Sequence, residues 1–356
     1  MILVERLRKA RDDPRAIAAF TKRKIAEITR LTEQRRPGAL ASYVVTGITG
    51  YSPYDYYLRY LQWRTTGSPV RSINGSEMAL SLTDAGISRE LFLYRTREGT
   101  TVKRFEHELR RLRTEVSGPV RVLEIGANIG YFALSEARVL GERAEIHAFE
   151  PDSRNLPLLY ENISRNGYGD RISVTQAAVG PAVGRATLRR SAHSNRNLLA
   201  PDGGSETVHR HTEALSLTGE TRVVDVWSVD AYCREHDVAP DGINVVRMDV
   251  EGYETDILRG MASVLRAEGP LLLFVEIHPH LLSESEYRWF ITTLADHGFH
   301  LLDAISEGIT ARPFDGSLDV DHLLDLLDVE QNGYKILAKR PAERYRGSRR
   351  QPGGFS

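Results

Sequence analysis

One short segment of this 356-residue chain combines the residue types that a nucleotide-like ligand needs. Within residues 122–134, an apolar run passes through Glu124-Ile-Gly126-Ala127-Asn128-Ile-Gly130 into a second apolar run. This pattern predicts a strand, a glycine loop and a helix, with the loop at the strand's carboxyl end, where ligands bind in parallel sheets. Glycine there lets the backbone approach a ligand without an intervening Cβ. Asn128 is expected either to cap the helix or to bind the ligand.

The composition of this loop distinguishes three classes of ligand. A dinucleotide fingerprint requires G-x-G-x-x-G, and Asn128 stands where the second glycine belongs. A phosphate-binding P-loop requires Gly-Lys-Ser/Thr, which the segment lacks. S-adenosylmethionine has no phosphate but carries a sulfonium, an ammonium and a carboxylate, so the negative charge of Glu124 suits it. The loop therefore predicts a site for S-adenosylmethionine.

A second acidic residue supports that prediction. Glu150 ends the next apolar strand, in the sequence Phe149-Glu150-Pro151. In dinucleotide-binding folds a carboxylate at this strand end accepts hydrogen bonds from the ribose hydroxyls. The alternative is that Glu150 caps the following helix.

Apolar strands and amphipathic helices alternate from Pro119 onward, which predicts a doubly wound, mostly parallel α/β sheet. The last strand is expected to be an antiparallel edge. Residues 181–222 are rich in Gly, Ser, His and Arg and are expected to form a long irregular excursion. The predicted strands are residues 120–125, 145–149, 172–179, 243–248, 271–277, 299–304 and 334–338.

Five motifs occur together in a fixed order over roughly residues 98–277: E-I-G-A-N-I-G-Y-F, F-E-P-D, Q-A-A-V-G, M-D-V-E-G-Y-E and L-F-V-E-I. In this order they resemble the FkbM-like methyltransferases. The resemblance implies a class I methyltransferase fold, which is Rossmann-like with a seven-stranded sheet. It also implies S-adenosylmethionine as the methyl donor and, most often, methylation of a hydroxyl.

The resemblance also assigns expected roles by position. The Asp that many class I enzymes place near the adenine at the third strand is absent, so backbone groups or Gln176 would serve there. Asp249 and Glu251 match the acidic pair after the fourth strand, and Asp249 is expected to contact the donor. The other expected donor contacts are Glu124, Gly126, Ala127, Asn128 and Gly130 at the methionine moiety, Glu150 at the ribose, and Gln176, Ala177 and Ala178 near the adenine.

Methylation of a hydroxyl needs the acceptor oxygen held in line with the methyl group and a base for the proton. The candidates at the ends of strands four and five are Asp249, Glu251, Glu276 and His278. Because the ordinary pKa of histidine is near 6.5, His278 is expected to assist deprotonation, while Asp249 orients the donor or the acceptor. Glu251 is the third catalytic candidate. No metal is predicted, because two carboxylates two residues apart are common and the pair His209 and His211 lacks a third ligand.

The polar residues His193 and Asn197 lie in the 181–222 insertion, which is expected to recognise the acceptor. An ordinary insertion is the alternative. Donor-rich side chains suit a carbohydrate-like acceptor, so the expected reaction is O-methylation of a sugar, glycan, glycolipid or polyketide-like natural product. Two alternatives stay open: a non-catalytic partner that binds the donor, and a methyltransferase for nucleic acid or protein.

Composition and charge limit the partners and suggest a domain plan. With 47 Lys and Arg against 48 Asp and Glu, no nucleic-acid partner is expected. One cysteine and the lack of a secretory or membrane-spanning run indicate a cytoplasmic protein.

Residues 1–37 are predicted to be a basic helical extension, either solvated or in contact with an anionic membrane or a partner. A subdomain over 38–118, rich in aromatic residues that are expected to pack, precedes the methyltransferase domain at 119–340 and a disordered tail at 341–356.

Overall fold

The computed structural model describes residues 40–42, 44–45, 53–64, 67–84, 86–201, 217–278, 281–306, 309–310 and 334–341. The predicted basic extension at 1–37, the histidines at 209 and 211, and the tail after residue 341 lie outside the described residues. None of the helices in the described ranges combines the length and the apolar run that a bilayer crossing demands.

The chain divides into two compact units at Arg97 and Glu98, whereas the sequence suggests a boundary at 118 and 119. The first unit contains α1 (Pro53–Arg64), the hairpin of β1 (Val70–Ile73) and β2 (Ser76–Ala79), and α2 (Ile87–Tyr94). Asn74 and Gly75 both have positive φ, as the predicted hairpin turn requires. The aromatic side chains that are described on α1 are exposed, Trp63 by 82%, although the ring of Tyr57 lies 6.4 Å from that of Phe92.

The remaining elements begin with α3, which lies in the second unit together with the sheet. In chain order they are α3 (Gly99–Glu115), β3 (Val120–Ile125), α4 (Tyr131–Leu140), β4 (Ala144–Phe149), α5 (Leu156–Arg165), β5 (Ile172–Thr175), β6 (Ala178–Val179), β7 (Gly184–Ser191), β8 (Leu198–Pro201), β9 (Leu217–Trp227), α6 (Val229–Glu235), β10 (Ile243–Met248), α7 (Glu254–Arg259), α8 (Ala262–Arg266), β11 (Leu271–Ile277), α9 (Glu284–Asp296), β12 (His300–Ser306), β13 (Ile309–Thr310) and β14 (Tyr334–Arg340).

The main sheet has the strand order β13-β12-β14-β11-β10-β3-β4-β5. Strands β11, β10, β3, β4 and β5 pair in parallel, and β14 is antiparallel to both β11 and β12. The predicted doubly wound, mostly parallel sheet is confirmed, and β13 adds a two-residue strand to the seven that the sequence predicts. The last strand is antiparallel as expected, but the expectation of an edge is wrong, because β14 lies between two other strands.

The central strands form where the sequence is mostly apolar, with single polar or charged residues such as Glu124 and Arg247 between the apolar ones. Strands β3, β10 and β11 have the bounds that the sequence predicts, and nearly all of their residues are buried. Leu123, Met248 and Leu273 from these three strands share one hydrophobic cluster with Phe290 of α9. Strands buried on both faces need no polar alternation, which is why a plain apolar run identifies them.

Two expectations about the chain between β4 and β10 are wrong. The single strand expected at 172–179 is broken after Thr175, and β6 belongs to a second sheet with the order β6-β9-β7-β8. The described parts of the 181–222 segment, residues 181–201 and 217–222, contain regular strands, which an irregular excursion would not. In β7 the buried Ala186 and Leu188 alternate with more exposed neighbours, which is strand periodicity in a segment whose arginines make it look like a loop.

Candidate active site

The glycine loop is held by the carboxyl ends of two neighbouring strands. The backbone N–H groups of Gly126 and Ala127 both donate to the carbonyl oxygen of Phe149, at 3.0 and 2.9 Å. Gly126 has φ +83°, and a Cβ at this position would lie only 2.5 Å from the carbonyl oxygen of Asp249. The sequence predicts glycine here for the approach of a ligand. In the structure it is the backbone after β10 that leaves no room for a side chain.

Asn128 joins the glycine loop to the β7–β8 connection and does not cap α4. Its Nδ2 donates to the carbonyl oxygen of Ser194 at 3.0 Å, and its Oδ1 accepts from the N–H of Ile129. The N-cap of α4 is Gly130, which has φ +91° and no side chain to cap with. The capping alternative for Asn128 is therefore wrong, while its contact with a ligand stays a prediction.

Glu150 is buried behind the loop and already accepts three hydrogen bonds. Its Oε2 accepts from the N–H of Asn128 at 2.8 Å, and its Oε1 accepts from the N–H of Asp152 and from Nδ2 of Asn155. Burial raises the pKa of Glu150 to about 7, although these hydrogen bonds act in the opposite direction. Since each carboxylate oxygen can accept two hydrogen bonds, Oε2 has capacity for one more donor. The expected bonds to two ribose hydroxyls exceed what this arrangement offers.

The three residues expected near the adenine differ in their access to solvent. Gln176 is exposed just after β5, whereas Ala177 and Ala178 are buried. Ala178 also pairs with Val226 of β9 in the second sheet. Of the three, Gln176 is the residue whose side chain is accessible to a ligand at the end of β5.

Glu124 is fully buried and forms ion pairs that the sequence does not predict. Its Oε1 lies 2.8 Å from Nη1 of Arg247, whose Nη2 lies 3.0 Å from Oδ2 of Asp249. The same guanidinium stacks 3.9 Å above the ring of Phe132. Burial raises the pKa of Glu124 to about 7, with Arg247 opposing the shift. Glu124 thus lies behind the loop and is connected to Asp249 through Arg247. Arg247 is the only charged residue of β10, and this single charge in a buried strand could have identified it from the sequence.

The structure brings together the candidate catalytic residues from the ends of β10 and β11. Nε2 of His278 lies 3.4 Å from Oε2 of Glu251 and 3.9 Å from Oε1 of Glu276. Its Nδ1 lies 2.7 Å from Oε1 of Glu254, the first residue of α7. Glu251 has φ +51°, a strained conformation for a residue with a side chain. Strain of this kind often marks a residue held in place for function.

The surrounding carboxylates change the protonation of this histidine. Burial alone would lower the pKa of His278, but Glu251, Glu254 and Glu276 raise it well above the ordinary value of 6.5. Burial likewise raises the pKa of Glu251 to about 7, with His278 opposing the shift. The raised pKa favours the charged imidazole over the neutral form that a base requires. The expected role of His278 in deprotonation stays a prediction, and Glu251 is the alternative base in the same cluster.

Three residues around this cluster were not predicted from the sequence. Glu254 lies within the motif M-D-V-E-G-Y-E, so the motif itself could have identified it. Nζ of Lys335 on β14 lies 2.9 Å from Oε2 of Glu276 and 3.1 Å from Oε1 of Glu98. Lys335 lies on β14 and Glu98 directly precedes α3, both outside the motifs, so only the tertiary structure reveals that they meet near Glu276.

The two predicted acceptor-binding residues lie in the connection between β7 and β8. The amide of Asn197 is used within the protein, because Nδ2 donates to Oδ2 of Asp152 at 2.9 Å and Oδ1 accepts from the N–H of Ser191. Nη2 of Arg190 donates to the other oxygen of Asp152 at 2.8 Å. His193 donates its backbone N–H to Oγ of Ser191. Asn197 therefore positions this connection beside the glycine loop.

Comparison with known proteins adds a family to this geometry. Residues 124–336 match the family model described as the methyltransferase FkbM domain. The hexuronic acid methyltransferase AglP of Haloferax volcanii is 28% identical over 200 residues, which cover 54% of this chain and 73% of that protein.

Solved structures show a weaker likeness. The FkbM methyltransferase of Methylobacillus flagellatus matches with a TM-score of 0.35 and 14% identity, over 62% of this chain and 43% of that chain, so this chain spans less than half of it. M. jannaschii TYW2 in complex with AdoMet matches with a TM-score of 0.37 and 12% identity, over 77% and 85% of the two chains. TM-scores this low add nothing to the topology. The family match covers more than half of the chain and includes both the glycine loop and the cluster of Asp249, Glu251, Glu276 and His278. The protein therefore belongs to the FkbM methyltransferase family, with a Rossmann-like class I fold.

Proposed function

We propose that this protein is an S-adenosylmethionine-dependent methyltransferase that methylates a hydroxyl of a sugar, glycan or glycolipid. The observation that carries the proposal is the convergence of Asp249, Glu251, Glu276 and His278 next to the glycine loop. Gly126 touches the backbone of Asp249, so the loop and the ionisable cluster are adjacent. A hydroxyl acceptor needs such groups to orient it and to take its proton.

The residues of the loop fit the proposed donor. The loop lies at the carboxyl ends of β3 and β4, where ligands of doubly wound sheets bind. Oε2 of Glu150 retains acceptor capacity for one ribose hydroxyl, and the side chain of Gln176 is exposed after the next strand. The carboxylate of Asp249 provides negative charge for a cationic ligand. S-adenosylmethionine, when bound, supplies an electrophilic methyl group on a sulfonium centre.

The ionisable cluster divides the remaining tasks. Since the neighbouring carboxylates raise the pKa of His278 and favour its charged form, we assign the acceptance of the hydroxyl proton to Glu251, which lies 3.4 Å from His278. Asp249, oriented by Arg247 at 3.0 Å, positions the acceptor oxygen. Glu254 fixes the imidazole of His278 through Nδ1, so the charge of the ring faces Glu251 and Glu276.

Two observations support a sugar as the acceptor class. The relative AglP of Haloferax volcanii is named as a hexuronic acid methyltransferase. In addition, the β7–β8 connection beside the donor loop presents the polar sequence His193-Ser-Asn-Arg-Asn197, and its position is fixed by Asp152. Polar side chains on a fixed loop suit the recognition of a polyhydroxylated ligand.

The experiment is methyl transfer from S-adenosylmethionine carrying a ¹³C-labelled methyl group to hexuronic acids, neutral glycans, RNA and protein, with product analysis by NMR. We expect an O-linked methyl group on a saccharide. Asp249→Asn should abolish transfer and weaken donor binding without abolishing it, while the control Asp256→Asn, which removes a nearby partly exposed carboxylate paired with Arg259, should remain active. Transfer only to nitrogen would contradict the proposal, and donor binding without transfer to any acceptor would favour the non-catalytic alternative.

A further inference from the structure

Three side chains next to the donor loop have the arrangement of metal ligands. One ligand atom each from Asp249, Glu276 and His278 can be chosen so that all three lie within 4.8 Å of one another. Ligands of one octahedral ion with bonds of about 2.1 Å are about 3 Å apart when adjacent and about 4.2 Å apart when opposite. Nε2 of His278 lies 3.9 Å from Oε1 of Glu276, so side-chain shifts of about 1 Å would allow the three groups to bind one ion.

The histidine of this group is oriented as metal-binding histidines are. Its Nδ1 lies 2.7 Å from Oε1 of Glu254, a carboxylate that is itself completely buried. A carboxylate that accepts from one ring nitrogen fixes the tautomer and directs the other nitrogen toward the metal. Here the other nitrogen, Nε2, faces Glu276 at 3.9 Å. Glu276 is 9% exposed, and its Oε2 is paired with Lys335 at 2.9 Å without the geometry of a hydrogen bond.

Negative charge exceeds positive charge around these residues. Each nearby cation is shared: Arg247 lies between Asp249 and Glu124, and Lys335 lies between Glu276 and Glu98. Among the ion pairs described for this region, three cations therefore face a larger set of carboxylates: Glu98, Glu124, Asp249, Glu251, Glu254 and Glu276. Buried carboxylates in excess are costly unless bound protons or a cation compensate them. A divalent ion among Asp249, Glu276 and His278 would supply that compensation in place of protons.

We propose that Asp249, Glu276 and His278 bind a divalent transition-metal ion, of the class of Mn²⁺, that holds the acceptor oxygen. The ion replaces the Nε2 proton of His278, which leaves to solvent when the metal binds. The mixed set of two carboxylates and one imidazole favours such an ion over Ca²⁺ or Mg²⁺, which prefer oxygen ligands alone. The role of the ion toward the acceptor rests on the function proposed above, whereas the binding site does not. Glu251, outside the set of ligands but 3.4 Å from His278, is then placed to take the proton of a metal-bound hydroxyl.

The test measures binding of Mn²⁺ alone to the full-length protein, without donor or acceptor, by electron paramagnetic resonance and calorimetry. We expect one saturable Mn²⁺ per chain. Asp249→Asn, Glu276→Gln and His278→Gln should each weaken binding at least tenfold, and Glu254→Gln should weaken it about 10–100-fold through the lost orientation of His278. The matched control is Glu161→Gln, which removes a carboxylate from a pair with Arg165 on the surface of α5. It should bind Mn²⁺ as the unmodified protein does.

Each outcome decides the proposal. Circular dichroism shows which variants fold, and Asp249→Asn carries the test if the more buried variants do not, because Asp249 is the least buried of the three. Absence of saturable binding, or equal binding by Asp249→Asn and Glu161→Gln, overturns the metal site. Methyl transfer to a saccharide that resists chelators, combined with no Mn²⁺ binding, would overturn the metal site and leave the proposed function intact. Mn²⁺ binding without saccharide methylation would support the metal site and contradict the proposed function.

Discussion

The contact between Gly126 and the backbone of Asp249 leads to a quantitative prediction for Gly126→Ala. Alanine in a left-handed conformation costs about 1–2 kcal/mol, and Gly126 has φ +83°. The added Cβ would lie 2.5 Å from the carbonyl oxygen of Asp249, below the 3.0 Å that real Cβ contacts respect. The loop or the end of β10 must therefore retreat by about 0.5 Å, and overpacking of this kind costs about 1–3 kcal/mol. We expect a total loss of about 2–5 kcal/mol in the free energy of unfolding.

Two glycines of the same conformational class serve as controls. Gly167 has φ +67° and no atom within 4 Å of an added Cβ, so Gly167→Ala should cost only the conformational term of about 1–2 kcal/mol. Gly130 has φ +91°, and its added Cβ would meet the end of the flexible Leu159 side chain at 2.9 Å, which predicts an intermediate loss. Urea unfolding followed by circular dichroism measures all three.

Donor affinity provides the second measurement for the same variants. Since the retreat of Gly126 displaces the loop that we propose holds the donor, Gly126→Ala should weaken S-adenosylmethionine binding at least tenfold in calorimetry, about 1.4 kcal/mol. Gly167→Ala should leave it unchanged. Equal destabilisation by Gly126→Ala and Gly167→Ala, together with unchanged donor affinity in both, would refute the proposed close approach between the loop and β10.

Three further predictions follow from the buried charges and the β7–β8 connection. Arg247→Met leaves buried carboxylates without their cation and should destabilise the protein by about 3–5 kcal/mol in urea unfolding, and adding Glu124→Gln should recover part of that loss; a loss under about 1 kcal/mol would show that Arg247 is dispensable. The pKa of Glu150 is about 7 in the folded protein against an ordinary 4.5, so the folded state binds more protons between these values and loses stability as pH rises through this window. Glu150→Gln should therefore reduce the fall in unfolding free energy between pH 5 and pH 8 by about 1–3 kcal/mol, and an identical pH profile would contradict the raised pKa. Asn197→Ala should raise the KM for the acceptor more than it lowers kcat, whereas Asn195→Ala in the same connection should change neither; equal effects of the two would assign Asn197 no special positioning role.

The sequence predicts those parts of the fold in which local pattern and structure coincide. The bounds of β3, β10 and β11 are correct because a central parallel strand is a short, mostly apolar run, and the run can be recognised without tertiary information. The segment at 181–222 fails because its strands face solvent on one side, so arginines and polar residues mask the alternation of Ala186 and Leu188.

The sequence predicts which residues of the candidate site lie at neighbouring strand ends, but it does not predict their ion pairs or their pKa shifts. Residues at the ends of adjacent parallel strands converge, which is why the amino-acid sequence by itself is enough to group Asp249 with His278. Their charge states depend on partners far away in sequence: Glu124 and Arg247 are 123 positions apart, and Lys335 reaches the cluster from the last strand. No local sequence pattern shows the carboxylate neighbours that raise the pKa of His278, or the burial that raises the pKa of Glu150.

The position of β14 between β11 and β12 has a consequence for how the protein is made. During synthesis β12 leaves the ribosome before β14, yet in the native sheet it pairs with β14 and not with β11. The five parallel strands that carry the glycine loop can pair as they emerge, but β12 must wait for residues 334–340 before it finds its place. Until β14 is available, the free edge of β11 can pair with other chains. A nascent chain that pauses before residue 334 would expose this edge, which makes the late region of the message the natural place to look for determinants of aggregation.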